Sequence, residues 1–170
     1  NKNYDQNGQI AKSGKTNELI LNQALDNFDV TFNNSLDIKD FDISFARGLS
    51  LEDGASTITN FTAEIITSNL MKLLNKNIFN SENKFLPNFL ICGGGRKNKY
   101  LMSLLMRKIS EKIEYQRFQY IDEHNIDGDF IESQAFAFLA IRSYLKLPIT
   151  FPETTGCKNP CTGGVISKNF

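Results

Sequence analysis

The residues best suited to chemistry sit around three consecutive glycines. Gly93-Gly94-Gly95 follow the short apolar run Phe89-Leu90-Ile91-Cys92 and precede a segment that opens at Asn98. Glycines between a strand and a helix let the backbone come close to a ligand, and the free N–H groups at the helix start favour polar or anionic groups. Asn98 can cap that helix or donate to a base or ribose. Arg96 and Lys97 stand where nucleotide phosphates could be approached, although a solvated turn is the plainer expectation for both. Three uses compete for such a turn: a mononucleotide site, a dinucleotide site and a purely structural tight turn. The dinucleotide pattern G-x-G-x-x-G would require glycine where Asn98 stands, while Asp122 supplies the acidic residue expected after a second strand. Further along, Glu132 opens a helix that is otherwise apolar, so its charge needs a partner or an exposed place in the first turn.

Other candidate sites fail on spacing. Ser13-Gly14-Lys15-Thr16 ends like a phosphate-cradling P-loop, but that loop needs glycine where Gln9 stands, and no buried strand precedes it. A turn beside an amphipathic helix is expected instead. Glu123 to Gln134 places Gly128 at the centre of a calcium-loop spacing, with Asn125 and Asp127 nearby. The twelfth position is Gln134 rather than a bidentate glutamate, so helix capping by Asp127 or Asp129 is the expected use. Cys157 and Cys161 lie close in sequence, yet a zinc site needs four ligands and the single histidine is His124. His124 falls in a polar turn and reads as solvated. No metal ligand and no catalytic residue is assigned.

The elements that must position these residues are legible from periodicity. Glu18 to Phe28 places Leu19, Ile20, Leu21, Leu25 and Phe28 on one helix face. Asp29 to Ser50, with Phe32 and Leu36, reads as a connection with short turns. Ser50 and Asp53 form an N-capping pattern, and Ala55, Ile58, Phe61, Ile65, Leu70 and Leu73 then mark a helical stripe to about Asn75. Pro87 precedes the apolar run, which is expected as a buried strand. A helix from Asn98 to about Glu114 and a strand from Phe118 to Ile121 complete a strand–turn–helix–strand unit, expected as a right-handed crossover. The last helix, Asp129 to Leu145, is apolar on nearly every side and is expected to be packed on both faces. Pro148 and Pro152 are expected to end helical structure, and the glycines of the tail to be structural.

Composition bounds the function classes. The chain has 170 residues, 41% of them hydrophobic and 22% charged, with 19 basic residues balancing 19 acidic ones. That length suits a single domain with a sizeable core. Zero net charge argues against a nucleic-acid groove or a polybasic membrane surface. No apolar run approaches the roughly 20 residues needed to span a bilayer, and no signal peptide opens the chain. Three cysteines without evident pairing fit a reducing compartment. A soluble cytoplasmic domain is expected, with no nucleic-acid or membrane partner. The chain starts at Asn1 rather than Met, so it is expected to be part of a longer product.

Taken in order, several stretches resemble the anhydro-N-acetylmuramic acid kinases. Ile91-Cys92-Gly93-Gly94-Gly95-Arg96-Lys97-Asn98 with Leu101-Met102 resembles that family's adenosine-side turn. Tyr4-Asp5-Gln6-Asn7-Gly8 through Ala11, Gly14 and Asn17 resembles the segment before its long interdomain region. Ser35-Leu36-Asp37 to Phe41, then Thr57-Ile58-Thr59 and Phe61-Thr62-Ala63, resemble the next portion. Ile131 to Ala140 is similar to its Glu-Ala-x-Ala-Phe-Ala helix, and Leu147-Pro148, Pro152, Thr155-Gly156 and Gly164 to its closing segment.

The resemblance implies an α/β chain with the actin-like, sugar-kinase ATPase fold, of which this would be the C-terminal lobe, a mixed sheet flanked by helices. Residues 1–50 would come from the interdomain region and 51–170 would form the nucleotide-binding lobe, with the N-terminal lobe absent. It implies ATP and Mg2+ as cofactors and 1,6-anhydro-N-acetylmuramic acid as substrate. Gly93, Gly94, Gly95 and Asn98 would lie on the nucleotide and Glu132 on the sugar. The general base and the phosphate loop would lie in the missing part, so the isolated chain would be inactive, and the complete protein would be a homodimer. A non-catalytic or partner-binding lobe of the same fold and a dinucleotide-binding module are the alternatives.

Overall fold

A computed structural model describes residues 4–28, 38–77, 88–113 and 116–167. Phe32, Ser35-Leu36-Asp37, Pro87 and Glu114 of the expectations above lie outside the described residues. The contacts divide the chain into two compact units, one drawn from residues 1–30 and 42–128, the other from 31–41 and 129–170.

The first unit is organised by one long helix. It contains α1 (Gln9–Ser13), α2 (Glu18–Asn27), the 27-residue α3 (Leu51–Asn77), β1 (Asn88–Ile91), α4 (Lys99–Ser110) and β2 (Arg117–Tyr120). Helices α1, α2 and α4 all pack on α3. The start of α3 follows the expected cap: the Asp53 N–H donates to Ser50 Oγ at 3.1 Å. The Asp53 carboxylate is used elsewhere, accepting from the Lys15 N–H at 2.7 Å.

Two apolar clusters meet α3 on different sides. Phe61 centres the first, with Leu21, Ala24 and Ile65 buried around it and Phe28 and Phe45 against its ring at centroid distances of 5.7 and 4.9 Å. The second joins Ala63 to Met102, Leu104 and Leu105 of α4, with Ile91 and Tyr120 from the strands packed against it. An ion pair between Lys108 and Glu64 runs beside this cluster.

Between the clusters, the buried face of α3 is polar, which the apolar stripe did not anticipate. Ser56, Thr57 and Thr67 are fully buried and Asn60 nearly so. Thr16 Oγ1 shares a hydrogen bond with Ser56 Oγ at 2.9 Å and accepts from Asn60 Nδ2 at 2.8 Å. The Asn17 N–H donates to Thr57 Oγ1 at 3.0 Å, while the Asn17 side chain caps α2 by accepting from the Ile20 N–H. These bonds satisfy the buried Ser56 and Thr57 hydroxyls, which would otherwise cost free energy, whereas Thr67 Oγ1 has no partner among the described residues. Small side chains also let the backbones approach closely. A Cβ on Gly14 would strike the Glu52 carbonyl and come within 2.7 Å of the Asp53 nitrogen. The SGKT segment is therefore the turn beside a helix that its spacing suggested.

Strands β1 and β2 pair in parallel, Asn88 to Arg117 through Ile91 to Tyr120, with Phe89 and Phe118 stacked at 5.1 Å. With α4 between them they form the expected α/β unit. The burial expected of β1 is not found: its residues alternate between exposed and half-buried, and Leu90 is 50% exposed. Leu19 and Leu73 also face solvent rather than their helix seams.

The second unit contains α5 (Ile131–Tyr144) and the short α6 (Pro152–Thr155). The expectation that α5 is packed on both faces is not met: no residue of it is buried, and Phe136, Phe138 and Ile141 are all more than half exposed. The cap position of α5 falls to Phe130 rather than to Asp127 or Asp129. Pro152 begins a helix instead of ending one, because proline's fixed φ and missing N–H suit a first helical position. Thr150 and Cys161 pair as an antiparallel bridge, and Ser143 Oγ donates to the Gly163 carbonyl. Gly164 takes φ +85°, which supports a structural role for the tail glycines. Among the described residues no helix is long and apolar enough to cross a membrane.

Candidate functional site

The glycine turn lies at the C-terminal end of β1, where ligands of parallel α/β sheets usually bind. Gly93 has φ +80° and ψ 171°, a conformation open essentially to glycine alone. Gly94–Lys97 then make one 3-10 turn before α4. Gly94 and Gly95 are different from Gly93: neither has a positive φ, and a Cβ on either would meet nothing within 4 Å among the described residues. Neither strain nor packing among the described residues calls for glycine there. A face kept bare beside a helix start is a place where a flat or anionic group can lie against backbone.

Asn98 takes the capping role. Its φ of −80° and ψ of 92° place it at the N-cap, and its Oδ1 accepts from the Leu101 N–H at 3.0 Å. Gly8, in the left-handed region at φ +72°, lies directly under that side chain; a Cβ there would strike Asn98 Oδ1. Asp5 in turn accepts from the N–H groups of Ile10 and Ala11 at 2.9 and 3.0 Å, holding the turn that carries Gly8.

Arg96 departs from the solvated-turn expectation. Its Nε and Nη2 donate to the two carboxylate oxygens of Asp122 at 2.7 and 2.9 Å, and its Nη1 donates to the Gly93 carbonyl at 3.0 Å. The Arg96 side chain is only 7% exposed, whereas that of Asp122 is 46% exposed. Arg96 hydrogen bonding holds the Asp122 carboxyl at about 2, below its ordinary 3.8, with the Gly128 N–H adding to the effect. A depressed carboxylate pKa stabilises the fold above the ordinary value, and the contribution disappears as pH falls through the lowered one. The Asp122 side-chain carboxyl resonance is accordingly expected to titrate near pH 2. A midpoint near 4 in a carbon-detected NMR titration would mean that the pair is not formed in solution.

The Arg96–Asp122 pair was not foreseen, although a signal for it existed. In a parallel strand–helix–strand unit, residues just past the two strands share one end of the sheet, so Arg96 after β1 and Asp122 after β2 must be neighbours. Asp122, the acidic residue that the dinucleotide pattern calls for after a second strand, is instead committed to Arg96.

Glu132 stands in the first turn of α5, exposed, where the helix dipole favours a carboxylate. It belongs to the second unit and the glycine turn to the first. An open apolar cleft of about 340 Å3 in the second unit is lined by Phe136, Ala140, Tyr144, Ile149 and Val165, not by Glu132. His124 is exposed, in line with a solvated residue. Among the described residues, no three of His, Cys, Asp or Glu gather closely enough to hold a metal ion.

The family model described as "Anhydro-N-acetylmuramic acid kinase" matches residues 1–169. The chain belongs to the anhydro-N-acetylmuramic acid kinase family. A relative of that name from Pelagibacter ubique is 51% identical over 170 residues, covering 98% of this chain and 43% of its own length. Those from Zymomonas mobilis and Rhizorhabdus wittichii are 34% and 37% identical, covering 96% and 97% of this chain and 41% and 42% of their own. The chain thus spans about two fifths of the length of the curated relatives it matches. For a member of this kinase family, a bare turn at the end of a parallel strand has an immediate chemical reading.

Proposed function

We propose that this chain is the C-terminal, nucleotide-binding lobe of a sugar kinase. The complete protein would use ATP to open 1,6-anhydro-N-acetylmuramic acid and phosphorylate it, giving N-acetylmuramic acid 6-phosphate during cell-wall recycling in the cytoplasm. Membership of the kinase family over nearly the whole chain is the observation that carries this reading. The bare face of Gly94 and Gly95 supports placing the adenosine side of ATP on the turn. Mg2+ would ride on the nucleotide phosphates, a role that asks for no dedicated protein cage. Asn98 serves this site by capping α4 under the turn. Glu132 would hydrogen-bond a sugar hydroxyl. The general base and the phosphate loop would belong to the remainder of the protein, so the 170 residues alone would not turn over substrate, and the complete protein would be a homodimer.

A chimera tests this directly. In it, the chain replaces the matched segment of the Pelagibacter ubique relative. ATP-dependent phosphorylation of the anhydro-sugar is expected, and its absence from a folded chimera would sink the reading. Glu132→Ala should raise the KM for sugar about tenfold, the cost of one charged hydrogen bond, with the KM for ATP little changed. Equal damage to both would remove Glu132 from the sugar.

A non-catalytic, partner-binding lobe remains the second reading, favoured by the uncovered apolar residues of α5. A folded chimera that binds no nucleotide would select it. The dinucleotide reading loses its acidic residue to Arg96.

A further inference from the structure

We infer that Arg96 is a positioning residue for nucleotide binding, which sets the glycine turn by tying it to the loop after β2. The inference rests on the proposal that this turn carries the nucleotide, and it adds how the turn is held.

Four groups close a ring. The Gly93 carbonyl accepts from Arg96 Nη1 at 3.0 Å. Arg96 Nε and Nη2 grip both oxygens of Asp122 at 2.7 and 2.9 Å. Asp122 Oδ1 accepts from the Gly128 N–H at 3.3 Å. The Gly128 carbonyl accepts from the Gly93 N–H at 3.2 Å. Both backbone groups of Gly93, the one turn residue in a glycine-only conformation, are therefore fixed from outside the turn.

Gly128 is part of the same device. A Cβ there would fall 2.6 Å from Arg96 Nε and 2.7 Å from Cζ, so the guanidinium lies flat on the Gly128 backbone. All three guanidinium nitrogens are committed to the ring, which argues against Arg96 as a phosphate ligand. Its planar fork cannot be replaced by a lysine, whose ammonium offers a point charge without two parallel donors. The ring fixes the ends of the turn and leaves Gly94 and Gly95 bare.

The test uses the chimera and reads KM against kcat. Arg96→Lys and Asp122→Asn should each raise the KM for ATP about tenfold, with kcat within about twofold and the KM for sugar unchanged. The double variant should lose no more than either single one, because both cut the same ring. Gly128→Ala, which leaves both charges in place, should shift the KM for ATP in the same direction. A purely structural ion pair would lower the unfolding temperature of these variants and leave the KM for ATP where it was. That result overturns the inference, as would losses that simply add in the double variant. Should the unmutated chimera bind no nucleotide, the reading of the turn fails first, and the positioning role falls with it.

Discussion

Gly14→Ala is expected to cost about 3 kcal/mol of stability, the upper range for overpacking at a well-packed joint. The added methyl would strike the Glu52 carbonyl and crowd the Asp53 nitrogen, both main-chain groups at the start of α3. Neither can swing aside as a flexible side chain would. Relief requires α1 to lift from α3, and that breaks bonds nearby. The Lys15 N–H would lose Asp53, Thr16 would lose Ser56 and Asn60, and Asn17 would lose Thr57. Ser56 is fully buried, so its hydroxyl would lose the partner it has across the joint, while Thr57 Oγ1 would keep only its bond to the Asp53 carbonyl. Gly54→Ala is the control on the same helix. Its Cβ would meet Ala46 and Leu49 atoms at 3.8 Å, an ordinary contact, and alanine in a helix interior gains up to about 1 kcal/mol over glycine. Thermal unfolding of the two chimera variants should therefore move in opposite directions. A Gly14→Ala variant as stable as its parent would mean that the α1–α3 contact is looser than described.

The second large effect concerns binding rather than stability. Alanine at both Gly94 and Gly95 is expected to leave the fold as stable as before or raise it by about 0.4–1 kcal/mol per site, since neither backbone is left-handed and neither Cβ meets a described residue. Nucleotide affinity should nevertheless fall about a hundredfold, because two methyl groups would occupy the bare face. Calorimetric titration of ADP into the double variant measures the loss. Stability kept and affinity lost is a pairing that a purely structural turn does not produce. Unchanged affinity would return these glycines to a structural role.

The helices were legible because each repeats its apolar residues at a clear period, and the first strand because a short apolar run stands between Pro87 and the glycines. Leu21, Phe61, Ile65, Leu104, Leu105 and Ile109 are buried as that period requires. What escaped was of three physical kinds. Helix α1 has five residues, too few to show a period, and it is held by the Asp5 carboxylate rather than by an apolar stripe. The seam of α3 is built from Ser, Thr and Asn, which a hydrophobicity pattern assigns to solvent. Helix α5 carries apolar residues all round, a composition that signals burial in a complete molecule, yet this chain leaves it uncovered. At the site, the glycine turn and its cap could be read from residue types alone. The Arg96–Asp122 pair could not, since it depends on two strands being parallel neighbours.

The position of α3 has a consequence for the order in which the first unit comes together. Partners across the α1–α3 joint are separated by 38, 40 and 44 residues along the chain. At a synthesis rate of about 5–20 residues per second, Thr16 and Asn17 wait roughly 2–8 s for Ser56, Thr57 and Asn60 to be made. Helices of five and ten residues are too short to persist unaided over that interval. The 27-residue α3 exceeds the length at which isolated helices are marginal, but its Thr, Ser, Asn and Ile residues are weak helix formers, so it too depends on packing. The α1–α3 joint therefore closes only after α3 has been made, and the two earlier helices gain their support from the later one. The polar seam suits that sequence of events, because the groups kept waiting are ones that water can satisfy in the meantime.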